Sequence, residues 1–156
     1  MASFEKRSIN AETALIALQA GIAKARQLGH AMSIAIVDEA GVAKAALRMD
    51  GASDMTRGIA EDKAYTSACL KAPTHALWDL VKNDPPLLHG LPGTRRAIVF
   101  GGGYPIIEGA QVIGAIGVSG GHYSDDMEVA IYTGEGRAFC AGEDMKETVE
   151  IGRAHV

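Results

Sequence analysis

The stretch that decides the fold runs Phe100-Gly-Gly-Gly-Tyr-Pro-Ile-Ile-Glu-Gly-Ala-Gln-Val-Ile-Gly-Ala-Ile-Gly-Val-Ser-Gly-Gly121. It reads as a strand, a turn at Glu108-Gly109, a second strand and a glycine-rich exit. Glycine weakens a strand, because it has no side chain to pack and loses more backbone entropy than any other residue. Gly114 and Gly117 therefore mark places where a helix, another backbone or a ligand comes close. Gly101-Gly102-Gly103 is not a nucleotide fingerprint, since the strand-to-helix Gly-x-Gly-x-x-Gly context and a P-loop lysine are both missing.

Working outward, residues 10–29 read as an amphipathic helix. Asn10 is placed to cap it, Leu15, Leu18, Ile22 and Ala25 form its buried stripe, and Gly29 stops it. Met32–Val37 and Val42–Met49 read as strands joined by Asp38-Glu39-Ala40-Gly41, a link short enough to make them an antiparallel hairpin. Ser53 or Asp54 caps a helix that runs to about Lys71, ahead of Pro73. Thr74 caps a short helix through Val81, residues 83–96 read as a long irregular segment, and Ser124 or Asp125 starts a last helix over 124–131. Hairpin-paired strands with helices between them predict an α+β domain: one antiparallel β-sheet flanked by helices.

Composition sets the limits of function. A chain of 156 residues, 47% hydrophobic and 5% aromatic, with 19 glycines, makes one domain packed largely by small side chains. A net charge of -4 with no basic block argues against nucleic acid as a partner. No apolar run reaches the length of a membrane span and no signal-peptide core is visible, so a cytoplasmic location without a membrane partner is expected. Cys69 and Cys140 form neither a disulfide framework nor a Cys-x-x-Cys site.

Several of these segments, taken in order, resemble the GlcG/HbpS-like haem-binding, or haem-degrading, domain family. They are Ile34–Gly41, Arg48–Ala52, Ala60–Thr66, Gly101–Ile106 and Gly114–Gly121, and the resemblance spans about residues 8–131. It implies a profilin-like or sensor-like arrangement of the sheet and helices, a homo-oligomer, and a small-molecule ligand such as haem, a related tetrapyrrole or a small catabolic carboxylate. Haem is thus the cofactor it admits. Enzymatic turnover of a small carboxylate or carbonyl compound, and a non-catalytic accessory role, remain alternatives. The tail departs from the family. Residues 132–147 resemble instead the oxyanion-hole segment of crotonases, so residues 1–131 are expected to form the domain and 132–156 an atypical extension.

The candidate site residues come from chemistry and position. Of the five histidines none has zinc-ligand spacing, but a haem needs only one axial imidazole and an apolar slot. His122, at the glycine-rich exit, His89, in the long segment, and His30, at a helix-to-strand turn, are the candidates. Lys63 falls within the apolar spacing of its helix, so it points toward the sheet or an interface and needs a carboxylate, for which Asp50 and Asp125 are candidates. Lys63 and His122 are also the candidate acid/base groups. Arg48, Asp50 and Lys63 are expected to line a pocket with Ser119, Gly120, Gly121 and His122, where glycine-rich N–H groups and a helix N-terminus favour a carboxylate. Bulk at Gly120 is expected to block that pocket and leave the fold intact.

Overall fold

The computed structural model describes residues 1–135 and 149–151. Its centre is β4 (Gln111–Ser119), the second strand of the glycine-rich stretch. β4 pairs antiparallel with β1 (Ser33–Asp38) on one side and β3 (Gly103–Glu108) on the other. β2 (Ala43–Arg48) completes the first hairpin outside β1, and β5 (Val149–Ile151) lies antiparallel outside β3. The order across the sheet is β2-β1-β4-β3-β5. Every pairing is antiparallel, as the hairpin reading predicts.

Alternation along the strands divides the sheet into two unlike faces. Ile34, Ile36, Ile106, Ile116 and Val118 form a bulky face, which packs against α1 (Ala11–Gln27) and α5 (Tyr123–Glu135) through Ala14, Ala17, Leu18, Val129 and Ala130. The opposite face is small: Ala35, Val37 and Ala115 meet Ala60, Ala64 and Ala68 of α2 (Asp54–Leu70). With so little side chain between them, helix and sheet meet at the backbone. A Cβ on Gly117 would overlap the Ala60 carbonyl oxygen, and one on Gly103 would lie 2.5 Å from the Lys63 carbonyl oxygen. The glycines of β3 and β4 thus admit a helix.

The remaining elements are α3 (Thr74–Val81) and α4 (Pro85–Gly90), the latter followed by a 3-10 turn at Leu91–Gly93. α4 corrects the irregular reading of 83–96. Asp84 caps it by accepting from Leu87 N–H at 3.2 Å, and the two prolines occupy the first turn, where a missing N–H costs nothing. Pro73, not Thr74, holds the N-cap position of α3, and the Thr74 hydroxyl instead accepts from Gly103 N–H at 3.0 Å. α5 runs beyond 131, to Glu135. In α1, Asn10 caps as expected, accepting from Thr13 N–H at 2.7 Å. Leu15, however, is half exposed, because the buried stripe passes through Ala14, Ala17, Leu18, Gly21 and Ala25. Most of the crotonase-like segment lies outside the described residues.

Two expected outcomes follow from this packing. Gly117→Ala should cost about 3 kcal/mol by urea unfolding, since backbone must move to admit the methyl. Gly58→Ala on α2, where a Cβ meets nothing within 4 Å, should instead stabilise by about 0.5–1 kcal/mol. Tyr104 sets an alkaline limit. Burial pushes its phenol up to about 12 from an ordinary 10, so the unfolded chain releases this proton first. Stability should therefore fall as pH rises from 10 to about 12, by up to about 3 kcal/mol, and Tyr104→Phe should remove that slope.

Candidate functional site

Lys63 is the largest side chain with no exposed surface. It leaves the middle of α2 on the small-residue face, and its ammonium donates to the Val118 carbonyl at 2.8 Å and to Asp126 Oδ2 at 2.7 Å. The Phe100 ring centroid lies 5.0 Å from Nζ. Asp126, only 2% exposed, sits in the first turn of α5 and also accepts from Gly121 N–H at 3.0 Å. The partner of Lys63 is therefore Asp126, not Asp50 or Asp125. Burial lowers the pKa of Lys63 from 10.5, and the charge and hydrogen bond of Asp126 work against that shift.

The triple glycine makes this pair fit. A Cβ on Gly101 would strike the Met127 side chain of α5, and one on Gly102 would lie 2.6 Å from Lys63 Nζ. Gly102 also has φ +123°, a region that side chains rarely adopt. Gly101, Gly102 and Gly103 thus give way in turn to α5, to the lysine, and to α2 with α3.

The other candidates fall into separate groups. Arg48 and Ser119 each pair with Ser33, on opposite sides of it, so two strand spacings (about 10 Å) separate their backbones. The Arg48 guanidinium donates to the Ala52 carbonyl at 2.8 Å and lies 3.4 Å from Asp54, on the α2 face. Asp50 is exposed in the loop after β2. Gly121 N–H is taken by Asp126, so the protein's own carboxylate occupies that part of the expected anion nest. At Gly120, with φ +151°, a Cβ would lie 2.7 Å from the Ala31 carbonyl oxygen and 2.8 Å from Met32 Cα. Bulk there strains the fold, contrary to the expectation from sequence.

His30 and His122 come to the same end of the sheet. His30 Nε2 is 3.6 Å from Asp125 Oδ2, and the Asp125 N–H bonds the His122 carbonyl at 2.9 Å. His122 Nδ1 is 2.9 Å from Ser124 Oγ, and its ring lies tilted against Tyr123 with centroids 4.0 Å apart. His89 is exposed on α4, apart from both.

Sequence reasoning missed three features. Asp126 lay one residue from a suspected partner, and only the α5 register separates the two. Partly buried His75, whose buried Nδ1 has no partner among the described residues, lies 5.8 Å from the Tyr104 ring. Arg96, Tyr65 and Glu61 line a groove beside the first hairpin. The signal for it was Gly41, whose need for φ +79° is legible, although its contact with Tyr65 is not.

Residues 9–133 match the family model of HbpS-like haem-degrading proteins, and the chain belongs to that family. It is 40% identical over 114 residues to an uncharacterized 15.0 kDa protein in the dhaT-dhaS intergenic region of Citrobacter freundii, covering 72% of this chain and 80% of that one. It is 32% identical over 108 residues to the protein GlcG of Escherichia coli K12, covering 65% and 74%. Among solved structures, PduOC in complex with heme superposes with a TM-score of 0.78 at 29% identity, over 94% of this chain and 99% of that one. The GlcG/HbpS-like resemblance read from sequence is thus the chain's family. No helix among the described residues is long and apolar enough to cross a membrane.

The buried pair makes a testable demand. Lys63→Met and Asp126→Leu, made separately, should each cost about 3–5 kcal/mol, because each strands a buried charge. Combined, they should recover most of that loss in a urea-unfolding double-mutant cycle.

Proposed function

We propose that the protein binds haem or a related tetrapyrrole at the end of the sheet that carries His30 and His122, and that it does so as a homo-oligomer. The observation that carries this reading is the likeness, over nearly the whole chain, to a relative solved with heme bound. The donor set fits. The Ser124 hydroxyl lies 2.9 Å from His122 Nδ1; in the tautomer that carries the proton on Nδ1 this oxygen accepts the hydrogen bond, fixes the ring and leaves the Nε2 lone pair for a metal. His30 supplies a second imidazole on the same end, backed by Asp125. Half-exposed Tyr123, tilted against His122, gives an apolar edge. In the oligomer a second chain would close this face into a slot. Haem, when bound, supplies redox-active iron; the residues named here hold and orient it.

An enzymatic reading with Lys63 or His122 as acid/base draws less support. Lys63 has no exposed surface, and its ammonium is spent on Val118 and Asp126. His122 is exposed, but no further titratable side chain bonds it among the described residues.

Titration with hemin, followed at the Soret band, tests the proposal. The wild type should give a saturable band. His122→Ala should shift the band and weaken binding by roughly tenfold or more, His30→Ala should weaken it less, and His89→Ala should change nothing. Light scattering on the same samples should give at least twice the 16.3 kDa chain mass. A protein with no saturable Soret change, or one indifferent to both His122→Ala and His30→Ala, would sink the reading.

A further inference from the structure

At the opposite end of β1 from Ser33 lies a groove with a cavity volume of about 290 Å³, between the β1–β2 hairpin and α2. Its apolar lining is Val37, Ala40, Val42 and Ala43. Its polar lining is Glu61, Tyr65 and Arg96. We propose that this groove is a second binding site, for a small organic carboxylate that also carries a hydrogen-bond donor. Arg96 anchors the carboxylate, and Glu61 receives the donor. The proposal does not depend on haem binding, since the groove lies away from His30 and His122 and is too small for a tetrapyrrole.

Arg96 is held in place from three sides. Its backbone has φ +68°, uncommon for any residue but glycine and a cost of about 1–3 kcal/mol that the surroundings must offset. The Thr66 hydroxyl donates to the Arg96 carbonyl at 2.7 Å and accepts from Ile98 N–H at 3.1 Å, which fixes this turn. Asp62 accepts from Arg96 Nε at 2.8 Å. The guanidinium lies 4.0 Å from the centroid of the Tyr65 ring. Asp62, Tyr65 and Thr66 stand at i, i+3 and i+4 on α2, so one helix face carries the whole clamp. The Tyr65 ring in turn rests against Gly41, where a Cβ would lie 2.6 Å from Cδ2.

With Nε engaged, the two terminal nitrogens have no protein partner among the described residues. They present a planar fork of donors, the geometry that matches a carboxylate with two parallel hydrogen bonds. Pre-ordering this long side chain reduces the entropy that binding would otherwise cost. The groove does not simply attract anions, because Glu61 shares the lining and Arg57 already bonds its Oε1 at 3.0 Å. Glu61 Oε2 remains an acceptor that favours a hydroxyl or ammonium group. A ligand must therefore offer both features, and the volume admits roughly ten water-sized groups.

The test is titration of ¹⁵N-labelled protein with L-lactate, with propionate (no hydroxyl) and lactamide (no carboxylate) in parallel. Lactate should produce saturable shifts at the amides of Gly41, Val42 and Tyr65 in the millimolar range. Propionate should bind roughly tenfold more weakly, and lactamide should produce no saturable shift. Arg96→Gln should abolish lactate binding, and Arg96→Lys, which keeps the charge without the fork, should weaken it roughly tenfold. Glu61→Ala should erase the preference for lactate over propionate. The absence of saturable shifts with lactate, or lactate affinity unchanged in Arg96→Lys or Arg96→Gln, would overturn the proposal. Hemin titration of Arg96→Lys should match wild type, which separates failure here from failure of the haem site.

Discussion

The Lys63–Asp126 pair joins the three layers of this domain at one point. Its ammonium starts on α2, passes the end of the sheet at Gly102, and ends on the first turn of α5. Taking two charges out of water is costly, and their attraction offsets that cost only when the remaining hydrogen-bonding capacity is also used. Here most of it is: Val118 accepts a second bond from the lysine, the Phe100 ring centroid lies 5.0 Å from Nζ, and Gly121 donates to the second carboxylate oxygen. Such a pair adds less to net stability than to geometry. It sets the axial position of α2 against β4 and the start of α5 in a single stroke.

That geometry requires small residues around it. A lysine can cross from helix to sheet end only if the helix backbone lies on the strands, and this is why Ala60 and Ala64 face Gly117. The same closeness explains the low aromatic content, because the α2 face leaves little room for rings. Bulk is confined to the other face, where isoleucines and valines meet α1 and α5. The two faces divide the work of packing between contact area on one side and backbone proximity on the other.

The rigid centre leaves chemistry to the two ends of β1. At the Ser33 end, histidines gather around the α5 N-terminus on short loops. At the Asp38 end, the hairpin turn meets an arginine fixed by α2. Asp38 shapes that turn by accepting from Ala40 and Val42 N–H at 2.9 and 3.0 Å. Because α2 supplies both the buried lysine and the clamp on Arg96, the helix that locks the core also orders the groove.

The sequence by itself determined the antiparallel hairpins, the helices between them, the glycine positions that demand close approach, and the family. These rest on local periodicity and turn chemistry, which act over a few residues and are written directly in the chain. It also placed Lys63 on the inward face of its helix. Tertiary structure decided what that lysine meets: Asp125 and Asp126 are neighbours in sequence, and only the rotation of α5 against the sheet aims the second one inward. Likewise Leu15 satisfies a helical stripe on paper, yet the face that α1 turns to the sheet is the alanine face, because it packs more closely. Arg96 shows the limit most clearly. Its partners Asp62, Tyr65 and Thr66 lie about thirty residues earlier, and nothing local signals a contact that exists only once the loop folds back over α2.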